Sequence, residues 1–219
     1  MELIAFKYAE SDLAHDQAFL GGDPGKRIPI SFLFYLISME DHLILADVGC
    51  NELPGFDMRH FIKPTDLLMR YGIKTQDITD VFITHSDWDH MGTITEFAHA
   101  NIYIQQEEYQ RERKKYETCS HIYTFDNTYD FCDNIRLVKI GGHQAGSSVV
   151  EVKMNQNIYV LGGDECYVND CLARKIPTGS THCPEKSRYF VEHYSDEKYT
   201  VFLYHDPGIL PGRNGAVKI

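Results

Sequence analysis

Four potential metal ligands lie within six consecutive positions, in the segment Thr84-His85-Ser86-Asp87-Trp88-Asp89-His90. His85, Asp87 and Asp89 alternate, so an extended backbone would point these three side chains to the same side. The apolar residues before the segment predict a buried strand over 80–84, and residues 91–94 predict the start of a helix. A strand that ends in imidazoles and carboxylates is typical of a metal site.

Composition and charge restrict the partners of the chain. Its 219 residues are 43% hydrophobic and 24% charged, which is ordinary for a globular protein with a core of normal size. The formal net charge of −11 argues against nucleic acid as a partner, because phosphate binding needs a basic surface. No stretch approaches the roughly 20 apolar residues of a membrane span, so we expect no membrane association. Residues 1–20 contain five charged side chains and no apolar signal region, which predicts a cytoplasmic location.

The cysteines are predicted to be free thiols rather than structural disulfides, because a reducing compartment keeps thiols reduced. None of them forms a Cys-x-x-Cys pair. The six residues are Cys50, Cys119, Cys132, Cys166, Cys171 and Cys183.

Apolar segments separated by turn residues predict a strand-rich chain with a few helices. The predicted strands are 30–37, 42–47, 80–84, 101–105, 135–140, 147–152, 158–161 and 198–204. The predicted helices are 65–71, 107–117 and 186–194, of which the second has charge pairs at helical spacing. Strands that bracket a few helices indicate a layered α/β architecture with two sheets.

Three further segments carry a ligand-type residue beside small residues, next to a predicted strand. They contain His143 within 141–147, Asp164 within 161–164 and His205 within 203–207. Each segment adjoins an apolar strand, so each is placed to lie at the same edge of a sheet. The glycines beside His143 and Asp164 allow the backbone to approach a metal closely.

This ordered set of elements resembles the metallo-β-lactamase superfamily, whose signature is His-x-His-x-Asp-His followed by a distant His, Asp and His. The resemblance extends from the Ala46-Asp47-Val48-Gly49 element to His205. It implies one domain over residues 1–219 with an αββα sandwich, in which two mixed sheets are flanked by helices.

The resemblance also implies two divalent metal ions, with zinc favoured, at one edge of the paired sheets. A hydroxide between the ions would be the nucleophile, because a divalent cation lowers the pKa of bound water. One ion would be held by His85, Asp87 and His143, the other by Asp89, His90 and His205, and Asp164 would bridge them.

Asp87 departs from the family pattern, which usually has histidine at this position. One interpretation is a degraded site, and the other is a working carboxylate ligand whose oxygen reaches about as far as the nearer ring nitrogen of histidine. A third carboxylate lowers the charge of the site and favours harder ions, so iron or manganese becomes credible beside zinc.

The departure leaves two alternatives to a hydrolase. Diiron flavoproteins of this superfamily carry an acidic residue at the position of Asp87, which suggests a redox enzyme. Only 14 residues follow His205 and no flavin-phosphate loop is evident, so we expect that such an enzyme would need a separate electron donor. The other alternative is a catalytically inactive metal-binding domain.

Within the superfamily, the pattern is closest to the N-acyl homoserine lactonase group, in which a tyrosine follows the bridging aspartate by three positions. Tyr167 stands at that offset from Asp164, and a phenol is a suitable donor to a developing oxyanion. A packing role for Tyr167 is the alternative. We therefore predict a hydrolase of lactones, esters or thioesters that binds a small-molecule substrate, in which Asp89 orients the nucleophile and transfers a proton.

Two residues near the motif have roles that the sequence leaves open. Trp88 either lines the substrate pocket or packs in the core beneath the loop. Asp47 is expected to support a ligand rather than to bind a metal itself. The apolar, aromatic N-terminal half permits a homodimer, although no motif specifies one.

Overall fold

The computed structural model describes residues 1–210 and 214–219, which form two β-sheets and several short helices. The described strands are β1 (Glu2–Ala14), β2 (Arg27–Ser38), β3 (Leu43–Ala46), β4 (Asp80–Ile83), β5 (Asn101–Gln105), β6 (His121–Phe125), β7 (Thr128–Cys132), β8 (Ile135–Lys139), β9 (Ser148–Met154), β10 (Asn157–Leu161), β11 (Tyr199–Phe202) and β12 (Gly215–Lys218). The described α-helices are α1 (His15–Ala18), α2 (Pro64–Arg70), α3 (Trp88–Met91), α4 (Gln106–Arg111), α5 (Asn169–Ala173) and α6 (Pro184–His193).

Both sheets are mixed, as the sequence predicted. The larger sheet has the order β12-β1-β2-β3-β4-β5-β6, and the smaller sheet has the order β11-β10-β9-β8-β7. Strands β3 to β6 run parallel, and so do β10 and β11, whereas the other neighbours are antiparallel. Parallel neighbours bring their carboxyl ends to the same edge of a sheet, which matters for the site below.

Strand β2 is buried on both faces and shows how the layers are built. Its alternate side chains enter two different apolar clusters, which explains why its sequence is a continuous apolar run. Between the sheets lie Leu33, Tyr35 and Ile37, together with Val150 and Leu161 of the smaller sheet. The opposite face joins a cluster that includes helix side chains, among them Phe32, Phe34, Leu67 and Leu68. Helix α6 contributes Phe190 and Val191 to the same cluster.

The long strand β1 was not predicted, because its side chains do not alternate regularly. A bulge between Lys7 and Ala9 inserts Tyr8 into the pairing with β2 and shifts the burial pattern. Lys7 is consequently buried at 1% exposure, where it pairs with Glu10 and donates to the Leu210 carbonyl at 2.8 Å. A buried lysine and an irregular period are weak signals for a strand.

The predicted helix over 107–117 is wrong in its second half. Helix α4 ends at Arg111, and after Glu112, whose φ of −122° is not helical, a separate 3-10 turn spans Arg113–Tyr116. All six cysteines are free, as predicted. Among the helices of the described residues, none has the length and apolar character to cross a membrane.

Candidate metal centre

The seven predicted ligands meet at one edge of the two sheets. Asp47 follows β3, and the ligand-rich segment with His85 follows its parallel neighbour β4. In the smaller sheet, Asp164 follows β10 and His205 follows its parallel neighbour β11. His143 comes from the loop between β8 and β9. The carboxyl ends of parallel strands therefore supply most of the site.

The first group of ligands, which we call the Asp87 cluster, consists of His85, Asp87 and His143. The Oδ2 atom of Asp87 lies 3.6 Å from Nε2 of His85 and 3.1 Å from Nε2 of His143. The Oδ2 atom of Asp164 lies 3.8 Å from each of the same two nitrogens. The ligand atoms of His85, His143 and Asp164 all lie within 4.8 Å of one another, a spacing that can hold one metal ion.

The second group, the Asp89 cluster, consists of Asp89, His90 and His205. The Oδ2 atom of Asp89 lies 3.6 Å from Nε2 of His90 and 3.4 Å from Nε2 of His205. The other oxygen of Asp164, Oδ1, lies 3.2 Å from each of these nitrogens. The two oxygens of Asp164 thus face different clusters, as a bridging carboxylate requires.

Each of the four imidazoles is oriented through its Nδ1 atom, which leaves Nε2 directed into the site. Nδ1 of His143 donates to the Ser180 carbonyl at 2.7 Å, and Nδ1 of His205 donates to the Ser31 carbonyl at 2.9 Å. Since a carbonyl can only accept, these bonds fix Nδ1 as the protonated nitrogen. An orienting partner at the far nitrogen is typical of histidines that bind metals.

Asp47 orients the other two imidazoles, as expected for a residue that supports ligands. Its Oδ2 atom lies 2.6 Å from Nδ1 of His90 and accepts a 2.7 Å bond from the hydroxyl of Thr84. The Thr84 oxygen in turn lies 3.1 Å from Nδ1 of His85. Asp47 is fully buried and has a left-handed backbone with φ of 59°, a strained conformation of the kind found at functional sites.

The donor atoms themselves lack partners, which tests whether the residues fit a metal. Nε2 of His85, Nε2 of His90 and Oδ1 of Asp164 are buried and have no hydrogen-bond partner within residues 1–210 and 214–219. Buried polar atoms without partners are costly, so a group of them that converges on one space indicates a missing ligand. Imidazole nitrogens and carboxylate oxygens are suited to a divalent cation. The residues therefore fit the metal that the motif predicts.

The electrostatic field of the site favours positive charge. Burial opposes protonation of His143, but its hydrogen bond to Asp87 and the charge of Asp164 raise its pKa to about 9. Burial likewise opposes protonation of His90, yet the nearby carboxylates raise its pKa well above the ordinary value. Burial would raise the pKa of Asp164, but the charges of His205 and His90 hold it well below its usual range. A field that favours protons here also favours a bound cation.

Asp87 has an additional partner that the sequence did not suggest. The Nη2 atom of Arg111 lies 2.8 Å from Oδ1 of Asp87 and 3.1 Å from Oε2 of the buried Glu108. Both residues belong to α4, whose charges were interpreted as an exposed set of helical pairs. The available signal was that α4 begins directly after β5, the parallel neighbour of the strand that carries the motif.

A cavity of about 260 Å³ opens onto the two clusters. Tyr167 lines this cavity, with its ring stacked on His205 at 5.1 Å between centroids and edge-on to His143 at 6.0 Å. Burial and the charge of Asp164 raise the pKa of Tyr167 well above its ordinary value, so its phenol is protonated. The apolar wall includes Leu13, Ile30, Phe32, Leu53, Phe56 and the half-buried Trp88. Trp88 combines the two predicted positions, because it lines the cavity and also packs against the hydrophobic core.

Comparisons with known proteins agree with this geometry. Residues 33–116 match the family model of the metallo-beta-lactamase superfamily. An N-acyl homoserine lactonase of Bacillus cereus is 22% identical over 210 residues, which cover 84% of this chain and 84% of the lactonase. A probable metallo-hydrolase of Mycobacterium tuberculosis is 28% identical over 83 residues, and the matched part spans 32% of this chain but 27% of that relative.

Solved structures extend the similarity to nearly the whole chain. An N-acyl homoserine lactone hydrolase with N-hexanoyl-L-homoserine bound at its catalytic metal centre superimposes with a TM-score of 0.82 at 20% identity, covering 95% of this chain and 94% of that chain. AidC, a dizinc quorum-quenching lactonase, superimposes with a TM-score of 0.73 at 15% identity, covering 96% and 88%. Residues 33–116 therefore have the sequence pattern of the metallo-β-lactamase superfamily, and the chain has the fold of the N-acyl homoserine lactonases.

Proposed function

We propose that this protein is a dinuclear metal-dependent hydrolase that opens a lactone or a related ester or thioester. The observation that carries the proposal is Asp164, which lines a largely apolar cavity and whose two oxygens face two separate ligand clusters. The lactonase relatives support the reaction class, because they share the fold and are named for lactone hydrolysis.

The proposed cofactor is a pair of divalent cations, and the donor set favours zinc. His85, Asp87 and His143 would hold one ion, Asp89, His90 and His205 the other, with Asp164 between them. When bound, the ions would supply Lewis-acid chemistry, which polarises a carbonyl and makes water a stronger acid. Imidazoles suit zinc, whereas the extra carboxylate of Asp87 also suits iron and manganese, so metal analysis belongs in the test.

The cavity fits a small substrate with an apolar tail. Its polar end is formed by the ligand carboxylates, Tyr167 and His205, while aliphatic and aromatic side chains line the rest. An ester carbonyl would lie at the polar end, and an acyl group would lie against Phe32 and Trp88. A lactone hydrolase of the same fold binds its N-hexanoyl-L-homoserine product at its catalytic metal centre, which supports placing the substrate in this cavity.

Two side chains of the cavity would assist the reaction. Attack of a water oxygen on the carbonyl carbon forms one C–O bond, and collapse of the adduct breaks the ester C–O bond. The phenol of Tyr167 would donate a hydrogen bond to the oxyanion that forms between these steps. Asp89 would orient the attacking water and pass its proton to the leaving alkoxide, or to the leaving thiolate of a thioester.

The test combines metal analysis with a substrate panel. The protein, purified without added metal, is expected to contain about two ions per chain and to open N-acyl homoserine lactones. Asp164→Ala is expected to lower kcat/KM at least about 10³-fold, because a bound metal supplies several kcal/mol of transition-state stabilisation. The matched control is Asp130→Asn, which removes an exposed carboxylate on β7 that is paired with Arg136.

Three results would contradict the proposal. Asp164→Ala with full activity and both ions would exclude the bridging role. Two irons with a visible absorption band and no hydrolysis would identify a redox centre instead. Tight binding of two ions with no turnover of any lactone, ester or thioester would identify an inactive metal-binding domain.

A further inference from the structure

Helix α4 fastens together the two loops that form the Asp87 cluster. Glu108, at 1% exposure, accepts a 2.8 Å bond from the backbone N–H of Ser86 with one oxygen. Its other oxygen accepts a 3.0 Å bond from the backbone N–H of Gly146. Ser86 lies between His85 and Asp87, and Gly146 lies in the loop of His143. One buried carboxylate therefore connects both ligand-bearing loops.

Arg111, one turn further along the same helix, extends this connection to the side chain of Asp87. Its guanidinium lies between the two carboxylates, 2.8 Å from Asp87 and 3.1 Å from Glu108. The contact uses Oδ1 of Asp87, so Oδ2 remains directed at His85 and His143. The amide of Gln144 lies 3.4 Å from both oxygens and adds a weaker constraint.

We propose that Arg111 is a positioning residue that makes Asp87 a working ligand, an inference that rests on the proposed metal site. One physical effect supports it. By holding Oδ1, the guanidinium selects the side-chain conformation in which Oδ2 faces the imidazoles, so less ordering remains to be done when a cation binds. The guanidinium charge itself is shared with Glu108 and does not attract a cation, so the expected gain in affinity comes from this ordering.

The expected loss of metal affinity without Arg111 depends on how exposed the Arg111–Asp87 ion pair is. A partner that orients a ligand typically contributes about 10–100-fold in metal affinity. Arg111 and Asp87 are 35% and 33% exposed, so solvent weakens their attraction, and we expect the lower end of that range. Loss of Arg111 should thus weaken one of two metal-binding steps about 10-fold and leave the other unchanged.

The experiment measures zinc affinity by competition with a chelator, with activity as a secondary readout. Arg111→Gln is compared with the wild type and with Arg136→Gln, which removes an arginine from an ion pair with Asp130 in the smaller sheet. Arg111→Gln is expected to bind zinc more weakly in one of the two binding steps, whereas Arg136→Gln is expected to bind zinc as the wild type does. Arg111→Lys retains the charge and is expected to bind zinc more tightly than Arg111→Gln.

A double-mutant cycle separates positioning from a general structural role. In the Asp87→His background Arg111 retains Glu108 as a partner but has no ligand carboxylate to hold, so adding Arg111→Gln should cause no loss of zinc affinity. An equal loss in both backgrounds, or no loss in either, overturns the inference while the proposed function stands. A wild-type protein that binds no zinc, manganese or iron overturns the proposed function, and the inference with it.

Discussion

The two ligand clusters share Asp164 and consist of the same kinds of residues, but their side chains are supported by charges of opposite sign. Behind the Asp89 cluster lies Asp47, a fully buried carboxylate that contacts His90. Behind the Asp87 cluster lies Arg111, a guanidinium that is 35% exposed and contacts the Asp87 ligand directly. A ligand side chain of one cluster is thus contacted by a buried negative charge, and a ligand side chain of the other by a positive charge near solvent, while the buried Glu108 holds the backbone of the second cluster.

The sign of the supporting charge changes what each cluster can do. A carboxylate behind an imidazole makes its Nε2 atom a stronger donor and fixes its orientation. A guanidinium beside a carboxylate ligand fixes the orientation but withdraws electron density from the donor oxygen. We therefore expect the Asp89 cluster to hold its ion more tightly and the Asp87 cluster to exchange its ion more readily. The predictions below test this difference.

Replacing Asp47, the buried carboxylate that contacts His90, should have the largest effect on metal affinity. Asp47 accepts bonds from the Thr84 backbone, the Thr84 hydroxyl and His90, and in Asp47→Asn an amide N–H would oppose one of these donors. We expect a loss of about 10–100-fold in affinity, chiefly at the Asp89 cluster. Chelator competition gives the affinities, and anomalous diffraction at the metal edge shows which ion is retained.

The chain contains a closely matched control for Asp47. Asp80 is also fully buried, lies at the opposite end of β4, and has a histidine and a threonine as partners, His42 and Thr79, each at 2.7 Å. Asp80→Asn should lower stability by about 1–3 kcal/mol, as expected for a disturbed buried hydrogen-bond network, without weakening metal binding. Equal metal loss in both variants would show that affinity follows general stability rather than support of His90.

The sequence suggested the candidate ligands and one support, Asp47, whereas it did not suggest the supports Arg111 and Glu108. His85, Asp87, Asp89 and His90 lie in one short segment whose spacing is itself a signal, and small residues beside Asp164 mark its loop. Arg111 and Glu108 have no such signal, because a charged residue on a short helix is more often solvated than turned toward a site. Their role depends on where α4 packs, which is a tertiary property.

The same difference between a local sequence signal and a tertiary property explains which strands were not predicted. Strand β2 was predicted because both of its faces are buried, which makes its sequence a continuous apolar run. The edge strand β6 was not, since three of its five residues are exposed and only Phe125 is buried. Such a strand is defined by backbone pairing with Asn101–Gln105 rather than by its own pattern. Edge strands and bulges are therefore where sequence reasoning failed.

A smaller effect, on kcat, is expected from Tyr167, which contacts a histidine of each cluster and is not a predicted metal ligand. In Tyr167→Phe the ring contacts with His205 and His143 are retained, and only the hydroxyl is lost. We expect kcat to fall about 10-fold, less than the 10²–10³-fold of a principal oxyanion donor, because the metals share this role. Metal content should not change. Steady-state kinetics with one lactone, with Tyr194→Phe as a control remote from the cavity, provide the measurement.

An unchanged kcat in Tyr167→Phe would assign this residue to packing, the alternative that its sequence position left open. A loss of metal would instead show that its hydroxyl supports the ligands. Only a reduced kcat with both ions retained agrees with a donor to the oxyanion. This variant therefore distinguishes a role of Tyr167 in catalysis from a role in metal binding.

The smallest effect should come from Thr84, which connects Asp47 to the Asp87 cluster. Asp47 contacts His90 directly, whereas its contact with His85 passes through the Thr84 hydroxyl, which lies 3.1 Å from Nδ1 of His85. Thr84→Val keeps the shape and removes two hydrogen bonds, the one donated to Asp47 and the one accepted from His85. Only the second bears directly on a ligand, and it corresponds to about 1 kcal/mol, or about 5-fold in affinity. The loss should occur chiefly at the Asp87 cluster, whereas Asp47→Asn acts mainly on the other cluster. Thr79→Val, which removes the equivalent hydroxyl beside Asp80, should leave both affinities unchanged. If Thr84→Val instead weakens both steps equally, the two clusters do not have separate supports, and the contrast between them reduces to the exposure of Asp87.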